Sequence, residues 1–449
     1  MSHRSMDDLL GGFDRFDEDA EGGTGEASVP GVTDSDLSPE AQRCAQAVDL
    51  SLIGPPGRRV VSVFLGIDNY QKVEEVQDEL TGNLLMECLP AFVHARGGRI
   101  VRSFRIGDHH GNTVNPILRS VTVEGKVRQF VHDGFLFLHF PEERVVVSVV
   151  TTRSSKDSAG FLRAWTEYTG QHNYLRGQAF FADGEIIERK RKLGWDDIVL
   201  QEENRRLIRT HVESFLNNRK ELGSLGVKAR RGIILSGPPG TGKTLLGKVL
   251  ADTLDVSFIW VSPRHIRSAN SFASILSLAR FVSPVILFLE DLDLFAGDRE
   301  TRGWLGLGEL MNQLDGAMDN QDIITIATTN QLEVVEKALR NRPGRFDRLL
   351  CFDEMDDRCR RLMLTRLLSR ATVSEDNLAH FTAVTEHFTG AQMEEIVNTI
   401  FMLAIEDQKA RGGLEPGVPP KVVVTCELID RAVDEVRVAR RGDLGFRAG

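Results

Sequence analysis

The stretch GPPGTGKT, residues 237–244, follows the apolar run GIILS and opens the helical pattern TLLGKVLADTL. It matches G-x-x-x-x-G-K-[ST], a spacing in which glycines let a loop turn its backbone N–H groups inward around phosphate oxygens. The helix that follows adds the positive end of its dipole at the same point. We therefore predict a phosphate-binding loop made of Gly237, Pro238, Pro239, Gly240, Thr241, Gly242, Lys243, Thr244 and Leu245.

Two side chains of this loop carry specific chemistry. Lys243 is placed to reach the β- and γ-phosphates of a nucleotide, and Thr244 is placed to give its hydroxyl to Mg²⁺. The alternative is a chance glycine turn, and the strand and helix that flank the motif argue against it. Residues 54–57 also read GPPG, but no G-K-[ST] follows them, so we predict an ordinary turn there.

A second feature is the stretch FLEDLD, residues 288–293, at the end of an apolar run. In nucleotide hydrolysis one carboxylate holds Mg²⁺ and a second orients the attacking water. Such enzymes usually place Asp before Glu, whereas here Glu290 precedes Asp291. Successive side chains of a strand point to opposite faces, so the exchange keeps a carboxylate on each face and changes its reach. We predict Glu290 as the metal ligand and Asp291 as the catalytic base.

Strand and helix patterns alternate from about residue 191, as a parallel sheet requires. The strands are predicted by the runs GIILSG, VSFIWV, VILFLEDLD and IITIATTN. After residue 355 the strand patterns stop and four helical patterns follow. The prediction is an α/β fold, with a P-loop subdomain and parallel sheet over 191–355 and a lid of four helices over 356–449.

The chain before residue 191 divides into a tail and a domain. Residues 1–57 are rich in acidic residues, Gly and Ser, and such a segment buries too little apolar surface to order, so we predict a disordered acidic tail. Residues 58–190 carry strand-like runs and helical patterns, among them a helical region over 70–98. They predict a separate N-terminal α/β domain that binds a client or a partner.

Several motifs beyond the phosphate loop resemble the AAA family of the AAA+ ATPases. They cover roughly residues 194–440 and occur in the family's order: GWDDIVL (194–200), VILFLEDLD, IITIATTN, RPGRFDR (342–348) and FTGAQM (388–393). Each motif alone is weak, but their order after a phosphate loop is specific. The resemblance implies ATP and Mg²⁺ as cofactors and ATP hydrolysis as the reaction.

The resemblance also implies roles for individual residues. The adenine would pack on backbone groups at Asp197, Ile198 and Val199, and Gly390 and Ala391 would approach the ribose and base. Asn330 matches the polar residue that positions the attacking water. Arg345 and Arg348 match arginine fingers, which stabilise transition-state charge on the nucleotide of a neighbouring subunit.

Arginines that act on a neighbour require an oligomer, and the family's usual assembly is a homo-oligomeric ring of six. The loop after VSFIWV is shorter than in protein-unfolding members and lacks their aromatic–apolar–Gly trio. Together with the Glu-Asp order, this resembles the branch that translocates the folded Rieske iron–sulfur protein. We expect a protein client of unknown identity. The rival hypothesis is a nucleotide-gated scaffold with very slow turnover.

Composition also bears on whether the protein binds nucleic acid, spans a membrane or forms disulfides. The formal net charge of −10 argues against a nucleic-acid partner. A basic run at 188–195, ERKRKLGW, leaves a local nucleic-acid contact as an alternative to a solvated linker. No stretch approaches the roughly 20 apolar residues of a membrane span. Five scattered cysteines predict reduced thiols and a cytoplasmic setting.

Overall fold

The computed structural model describes residues 71–96, 99–105, 117–124, 131–139, 144–151, 155–226, 230–266, 268–296, 307, 310, 312–314, 322–339, 346, 348–411 and 420–441. The chain divides into two compact units, Met1–Thr169 and Gly170–Gly449. The predicted acidic tail, residues 1–57, lies outside the described residues.

The described part of the first unit contains an antiparallel sheet of five strands in the order β1-β5-β4-β3-β2. The strands are β1 (Gln71–Asp78), β2 (Arg99–Arg105), β3 (Ile117–Glu124), β4 (Val131–His139) and β5 (Arg144–Thr151). Two helices, α1 (Glu79–Ala95) and α2 (Ser155–His172), accompany the sheet. Phe92 of α1 meets Phe161 of α2 edge to face, with ring centroids 5.4 Å apart.

The helix predicted over 70–98 begins later than expected. Gln71–Asp78 forms β1, and the helix starts at Glu79 because the Asp78 side chain accepts a hydrogen bond from the Thr81 backbone N–H at 2.9 Å. The charged residues of β1 favour a helix by local propensity, but pairing along the whole length of β5 overrides that preference.

In the second unit, the described residues form a parallel sheet of six strands in the order β11-β7-β10-β9-β8-β6. The strands are β6 (Ala179–Phe181), β7 (Arg230–Ser236), β8 (Ser257–Val261), β9 (Val285–Leu289), β10 (Ile323–Thr329) and β11 (Arg348–Cys351). Every residue of β8, β9 and β10 is buried, which is typical of a parallel sheet covered on both faces. The predicted α/β class is confirmed.

Helices connect these strands. They are α3 (Glu202–Ile208), a π-helical segment (Arg209–Ser214), α4 (Phe215–Asn217), α5 (Arg219–Ser224), α6 (Lys243–Thr253), α7 (Ala269–Phe281) and α8 (Leu332–Leu339). Of these, α6 follows the phosphate loop and lies close to the sheet. A Cβ atom added at Gly247 would lie 2.6 Å from the ring of Phe288 on β9. The glycine therefore permits the close approach that places the loop above the strand ends.

The boundary between the units lies at Thr169 and Gly170, earlier than the sequence placed it. Residues 179–181, which the sequence assigned to the N-terminal domain, form edge strand β6 and pair with β8 from Phe258 to Trp260. Three residues carry too short an apolar pattern to reveal a partner strand that is distant in the sequence.

The described residues after Asp356 form four helices, as predicted for a lid. They are α9 (Asp357–Leu367), α10 (Glu375–Val384), α11 (Gly390–Ala410) and α12 (Cys426–Arg441). Their core contains the fully buried side chains of Phe381, Ile400 and Ile429. Contrary to the expectation that strands stop at 355, two short strands, β12 (Thr372–Val373) and β13 (Val423–Val424), pair in parallel. None of the helices in the described residues has the length and apolar character that a bilayer crossing needs.

Candidate nucleotide-binding site

The predicted phosphate loop joins β7 to α6 and is shaped by its glycines. Gly240 has φ 79° and Gly242 has φ 99°, in the region that L side chains rarely adopt. At Gly237 only glycine fits, because an added Cβ would lie 2.2 Å from the backbone oxygen of Phe352. Thr241 is buried and donates a hydrogen bond to the Pro238 carbonyl at 2.9 Å. The loop is therefore preformed by its own backbone.

Lys243 is buried inside this loop, with 6% of its surface exposed. Its ammonium donates to the carbonyl oxygens of Gly237 at 2.7 Å and Pro238 at 2.8 Å. Burial lowers the pKa of Lys243, and the nearby carboxylates of Asp291 and Asp293 oppose that shift. A cation held at the centre of a glycine loop is suited to binding phosphate oxygens.

The remaining loop residues lie around this centre. Pro238, Pro239 and Thr244 are exposed, and Leu245 is partly buried against the core of the second unit. The Thr244 hydroxyl donates to Glu290 Oε1 at 3.2 Å. The two residues predicted as Mg²⁺ ligands are therefore in contact.

The carboxylate pair adopts a geometry that the sequence did not predict. Strand β9 ends at Leu289, and the Glu290 N–H donates to the Val261 carbonyl at 2.9 Å. Asp291 follows with φ 53°, a left-handed conformation. Strand β9 thus ends before the carboxylate pair and Asp291 leaves the extended conformation, so strand alternation does not set the relative directions of the two side chains.

Asp291 is held in place by a backbone contact. Its N–H donates to the Thr328 hydroxyl at 3.0 Å. Burial, followed by the charges of Glu290 and Asp293, raises the pKa of Asp291, and Lys243 opposes this. A carboxylate with a raised pKa beside a phosphate loop has the character of a general base.

Asp293, the third carboxylate of FLEDLD, was not singled out from the sequence. It lies in a 3₁₀ turn, Leu292–Ala296. Its Oδ1 accepts hydrogen bonds from the Thr329 hydroxyl at 2.8 Å and from the Asn330 N–H at 3.0 Å. The only signal in the sequence was its place next to the predicted pair.

Asn330 lies directly after β10, and its side chain is exposed. β10 pairs with β7 on one side and β9 on the other, so its end lies between the phosphate loop and the carboxylates. The Gly237 N–H donates to the Thr329 carbonyl at 3.3 Å. The structure therefore brings the predicted sensor position to the edge of the sheet that carries the loop.

The segment that precedes α3 closes over the other side of the loop. Ile198 is 4% exposed, and its Cδ1 lies 4.0 Å from the place a Cβ on Gly242 would take. The Asp197 carboxylate accepts from the Gly194 N–H at 2.7 Å and pairs with Arg191 at 2.5 Å. These contacts, the backbone bond first, lower the pKa of Asp197.

The same segment reaches the lid. Val199 is partly buried, and the Ile198 carbonyl accepts a hydrogen bond from Arg366 of α9 at 3.5 Å. The first turn of α11 meets the loop directly, since the Ala391 N–H donates to the Gly240 carbonyl at 3.1 Å. Gly390 is buried, and a Cβ there would lie 3.4 Å from the same carbonyl. Of the five residues predicted to surround the base, Ile198, Gly390 and Ala391 therefore lie near the loop, and Asp197 and Val199 flank Ile198 in the chain.

The two predicted arginine fingers have different outcomes. Arg345 lies outside the described residues. Arg348 begins β11 and is exposed, and its Nε donates to His211 Nε2 at 3.1 Å within the same chain. The π-helical segment that carries His211 therefore orients this guanidinium.

The basic run at 188–195 makes contacts inside the unit. Arg189 pairs with Asp252 at 2.6 Å, and Asp252 also accepts from the Leu193 N–H at 2.9 Å. Arg191 pairs with Asp197, as described above. These ion pairs favour an attached linker over a nucleic-acid surface.

The site suits Mg²⁺ held by few protein ligands. The described residues contain no group of three or more His, Cys, Asp or Glu side chains that could hold a metal ion. Mg²⁺ in nucleotide sites is held by one or two protein oxygens together with phosphates and water. The contact between Thr244 and Glu290 fits that donor set.

Comparison with known protein families finds one match in this part of the chain. Residues 233–354 match the family described as "ATPase family associated with various cellular activities (AAA)". The match begins in β7 and includes the phosphate loop and the carboxylates. It supports ATP binding with Mg²⁺ and ATP hydrolysis by this part of the chain.

Three curated relatives carry the name "ATP-dependent zinc metalloprotease FtsH". The protein of Mesomycoplasma conjunctivae is 30% identical over 61% of this chain and 36% of its own length. That of Halothermothrix orenii is 31% identical over 56% of this chain and 40% of its own length. That of Mycoplasmopsis synoviae is 32% identical over 62% of this chain and 42% of its own length. This chain thus spans less than half the length of each relative.

One solved structure, "Crystal structure of FIGL-1 AAA domain in complex with ADP", is 23% identical to this chain. It covers 57% of this chain and 88% of its own, with a TM-score of 0.47.

Proposed function

We propose that this protein binds and hydrolyses ATP at the phosphate loop and uses the cycle to remodel or move a protein client. One observation carries the proposal: the Thr244 hydroxyl, next to the buried Lys243 of the loop, donates to Glu290 Oε1 at 3.2 Å, and Asp291 directly follows Glu290. Phosphate-binding, metal-binding and proton-accepting groups then share one edge of the sheet.

In this proposal the loop from Gly237 to Leu245 binds the phosphates. Thr244 and Glu290 hold Mg²⁺, which polarises phosphate oxygens when it is bound. Lys243 exchanges its bonds to the Gly237 and Pro238 carbonyls for bonds to phosphate oxygens. The exchange replaces weak neutral acceptors by charged ones, and charge-assisted hydrogen bonds are the stronger kind.

Asp291 orients the attacking water and accepts its proton, and Asn330 holds that water from the second side. The raised pKa of Asp291 suits a proton acceptor near neutral pH better than an ordinary aspartate would. Asp197, Ile198, Val199, Gly390 and Ala391 surround the adenine and ribose.

The active form is proposed to be a homo-oligomeric ring, with six subunits expected. Arg345 and Arg348 would act as fingers on the neighbour's nucleotide. The exposed position of Arg348 at the start of an edge strand supports a role across subunits.

The N-terminal unit is proposed to engage the client. The short loop after β8 contains a 3₁₀ turn, Pro263–His265, and lacks the aromatic–apolar–Gly trio, which favours a client that is moved without threading. That loop and the Glu290-Asp291 order keep the Rieske-protein translocase branch as the proposed relationship within the family. The free thiols of Cys88, Cys359 and Cys426 among the described residues support the proposed cytoplasmic setting.

A nucleotide-gated scaffold is the second candidate, because Asp291 is in a left-handed conformation and Lys243 is bonded to the loop's own carbonyls. For turnover, the Asp291 backbone would have to change or stay strained, and Lys243 would have to leave the loop carbonyls. Such a protein would bind ATP and assemble but release phosphate very slowly.

Calorimetric ATP binding and phosphate release, measured on wild type and Lys243→Ala, test the proposal. We expect wild type to bind MgATP and release phosphate, and Lys243→Ala to lose both. Binding without any Lys243-dependent release would favour the scaffold, and no binding by wild type would exclude both candidates.

A further inference from the structure

Asp293 connects two segments that carry predicted catalytic residues. One of its oxygens, Oδ1, accepts from the Thr329 hydroxyl at 2.8 Å and from the Asn330 N–H at 3.0 Å. A single atom thus binds the end of β10 at two consecutive residues. These bonds fix both the position and the direction of the backbone from which the Asn330 side chain extends.

The turn that holds Asp293 is bound to β10 at a second place. The Asp291 N–H donates to the Thr328 hydroxyl at 3.0 Å. Residues 291–293 and 328–330 are therefore joined along their length, with Asp291 at one end and Asn330 at the other. Asp291 keeps its φ of 53° between these attachments.

The same strand end also touches the phosphate loop. The Thr329 carbonyl accepts from the Gly237 N–H at 3.3 Å. Thr329 thus binds Asp293 through its hydroxyl and the loop through its carbonyl. A shift of Asp293 would reach the loop through this one residue.

Electrostatics places Asp293 near the same centre. Burial lowers the pKa of Lys243 and raises the pKa of Asp291; the charge of Asp293 opposes the first shift and adds to the second.

We propose that Asp293 is a positioning residue that holds Asn330 and Asp291 in register, so that both reach the attacking water of the proposed ATP hydrolysis. The inference rests on the proposed function. Asp293 acts through the hydrogen bonds that its carboxylate oxygen accepts from Thr329 and Asn330. Misplacement of catalytic groups by about 1 Å can cost on the order of 100-fold in rate, so a positioning residue controls kcat.

The first test compares two substitutions at this position in the full-length chain. Asp293→Asn keeps an oxygen that accepts hydrogen bonds but removes the charge, whereas Asp293→Ala removes both. We expect Asp293→Ala to lower kcat by roughly 10- to 100-fold with KM for ATP within about threefold of wild type, since positioning acts on the reaction rather than on binding. Asp293→Asn should keep kcat within about fivefold.

A second test changes Thr329, whose hydroxyl donates to Asp293. Thr329→Val removes the hydroxyl that Asp293 accepts from and should lower kcat less than Asp293→Ala. The double variant should lose less than the product of the two single effects, because both changes remove one shared bond. Glu333→Ala, at an exposed position in the first turn of α8, is the matched control for loss of a nearby charge and should behave as wild type.

Several outcomes would overturn the inference. They are an Asp293→Ala kcat within about threefold of wild type, equal losses in Asp293→Asn and Asp293→Ala, or a loss carried by KM alone. Thermal unfolding of each variant identifies a folding defect, and in that case Thr329→Val decides by its kcat. Failure of the proposed function is distinguishable, because wild type would then release phosphate no faster than Lys243→Ala.

Discussion

Gly240 is the residue at which the phosphate loop meets the lid. Its carbonyl accepts from the Ala391 N–H, and its own conformation is left-handed at φ 79°. An added Cβ would lie 2.7 Å from the Cβ of Ala391, a contact that neither backbone can relieve by a rotamer change. The glycine is thus required twice, for its conformation and for its size.

Gly240→Ala should therefore lower ATP turnover by at least roughly tenfold, because the loop or the lid must shift by an amount comparable to 1 Å. Gly226→Ala is the matched control, with φ 76° and no atom within 4 Å of the added Cβ. It should cost about 1–2 kcal/mol of unfolding free energy from backbone strain and leave turnover unchanged. Phosphate release and urea unfolding measure the two effects. Equal turnover in the two variants would contradict the contact.

Asp291 gives a prediction for pH. Its pKa is raised by burial and then by Glu290, so its carboxylate takes up a proton at a higher pH than the ordinary value of about 3.9. Under the proposed role, kcat/KM for MgATP, which reports the pKa of the free enzyme, should fall on the acid side with a midpoint above that value. Glu290→Gln should move the midpoint down, since it removes one cause of the shift.

The pH–rate profile checks this directly, over the range in which circular dichroism shows a folded protein. Glu333→Gln serves as the control for the loss of an exposed carboxylate that does not shift the pKa of Asp291, and it should leave the midpoint in place. A midpoint that is unchanged in Glu290→Gln would show that the loss of activity at low pH does not come from protonation of Asp291.

Among individual residues, those that belong to one continuous motif could be predicted from the sequence. Lys243 and Thr244 could be placed because loop, strand and helix follow one another within one motif. The role of Asp293 depends on the approach of Thr329 and Asn330, which lie 36 and 37 residues further along. The left-handed backbone of Asp291 was equally hidden, because an aspartate is compatible with both strand and turn.

Among the elements, α6 decides where the phosphate loop sits. Gly247 lets the helix approach β9 until the Phe288 ring occupies the place of a side chain, with three ring atoms 2.6–2.9 Å from an added Cβ. Phe288 is itself fully buried. The ring cannot move aside without disturbing the core.

Gly247→Ala should therefore destabilise the protein by about 1–3 kcal/mol through overpacking, although alanine favours a helix. Gly223→Ala provides the comparison, since Gly223 also lies in a helix and nothing is within 4 Å of its added Cβ. That change should be neutral or stabilise by about 0.5–1 kcal/mol. Urea unfolding of both variants tests the packing, and equal stability would mean that α6 does not need this approach.

Some helices and strands could be predicted from the sequence and others could not. The buried strands β8, β9 and β10 and the four lid helices have long apolar patterns and were predicted. β1 carries a charged pattern, and β6 is three residues long, so each is defined by its partner strand. Local sequence does not contain that partner.

For the whole molecule, the proposed ring makes the site a shared one. Lys243 and Asp291 would come from one subunit, and Arg348 from its neighbour. A subunit with a defective loop could then still supply an arginine to an intact loop next to it.

Mixing Lys243→Ala with Arg348→Ala subunits should therefore restore activity that neither has alone, to about a quarter of the wild-type rate for random equal mixing around a ring. Mixing Lys243→Ala with Asp291→Asn is the control and should restore nothing, because both changes disable the same subunit's site. Phosphate release after co-assembly measures the result. No recovery in the first mixture would place Arg348 in its own subunit, where it already meets His211.

The measurement that tests the central claim most directly is steady-state phosphate release from MgATP by wild type and by Asp291→Asn. Nucleotide binding is measured on the same samples. We predict release by wild type and a rate lowered by about 10²- to 10⁴-fold in Asp291→Asn, the range that a general base contributes, with ATP binding preserved. Equal release by the two proteins, or release at background level in both, would contradict the account.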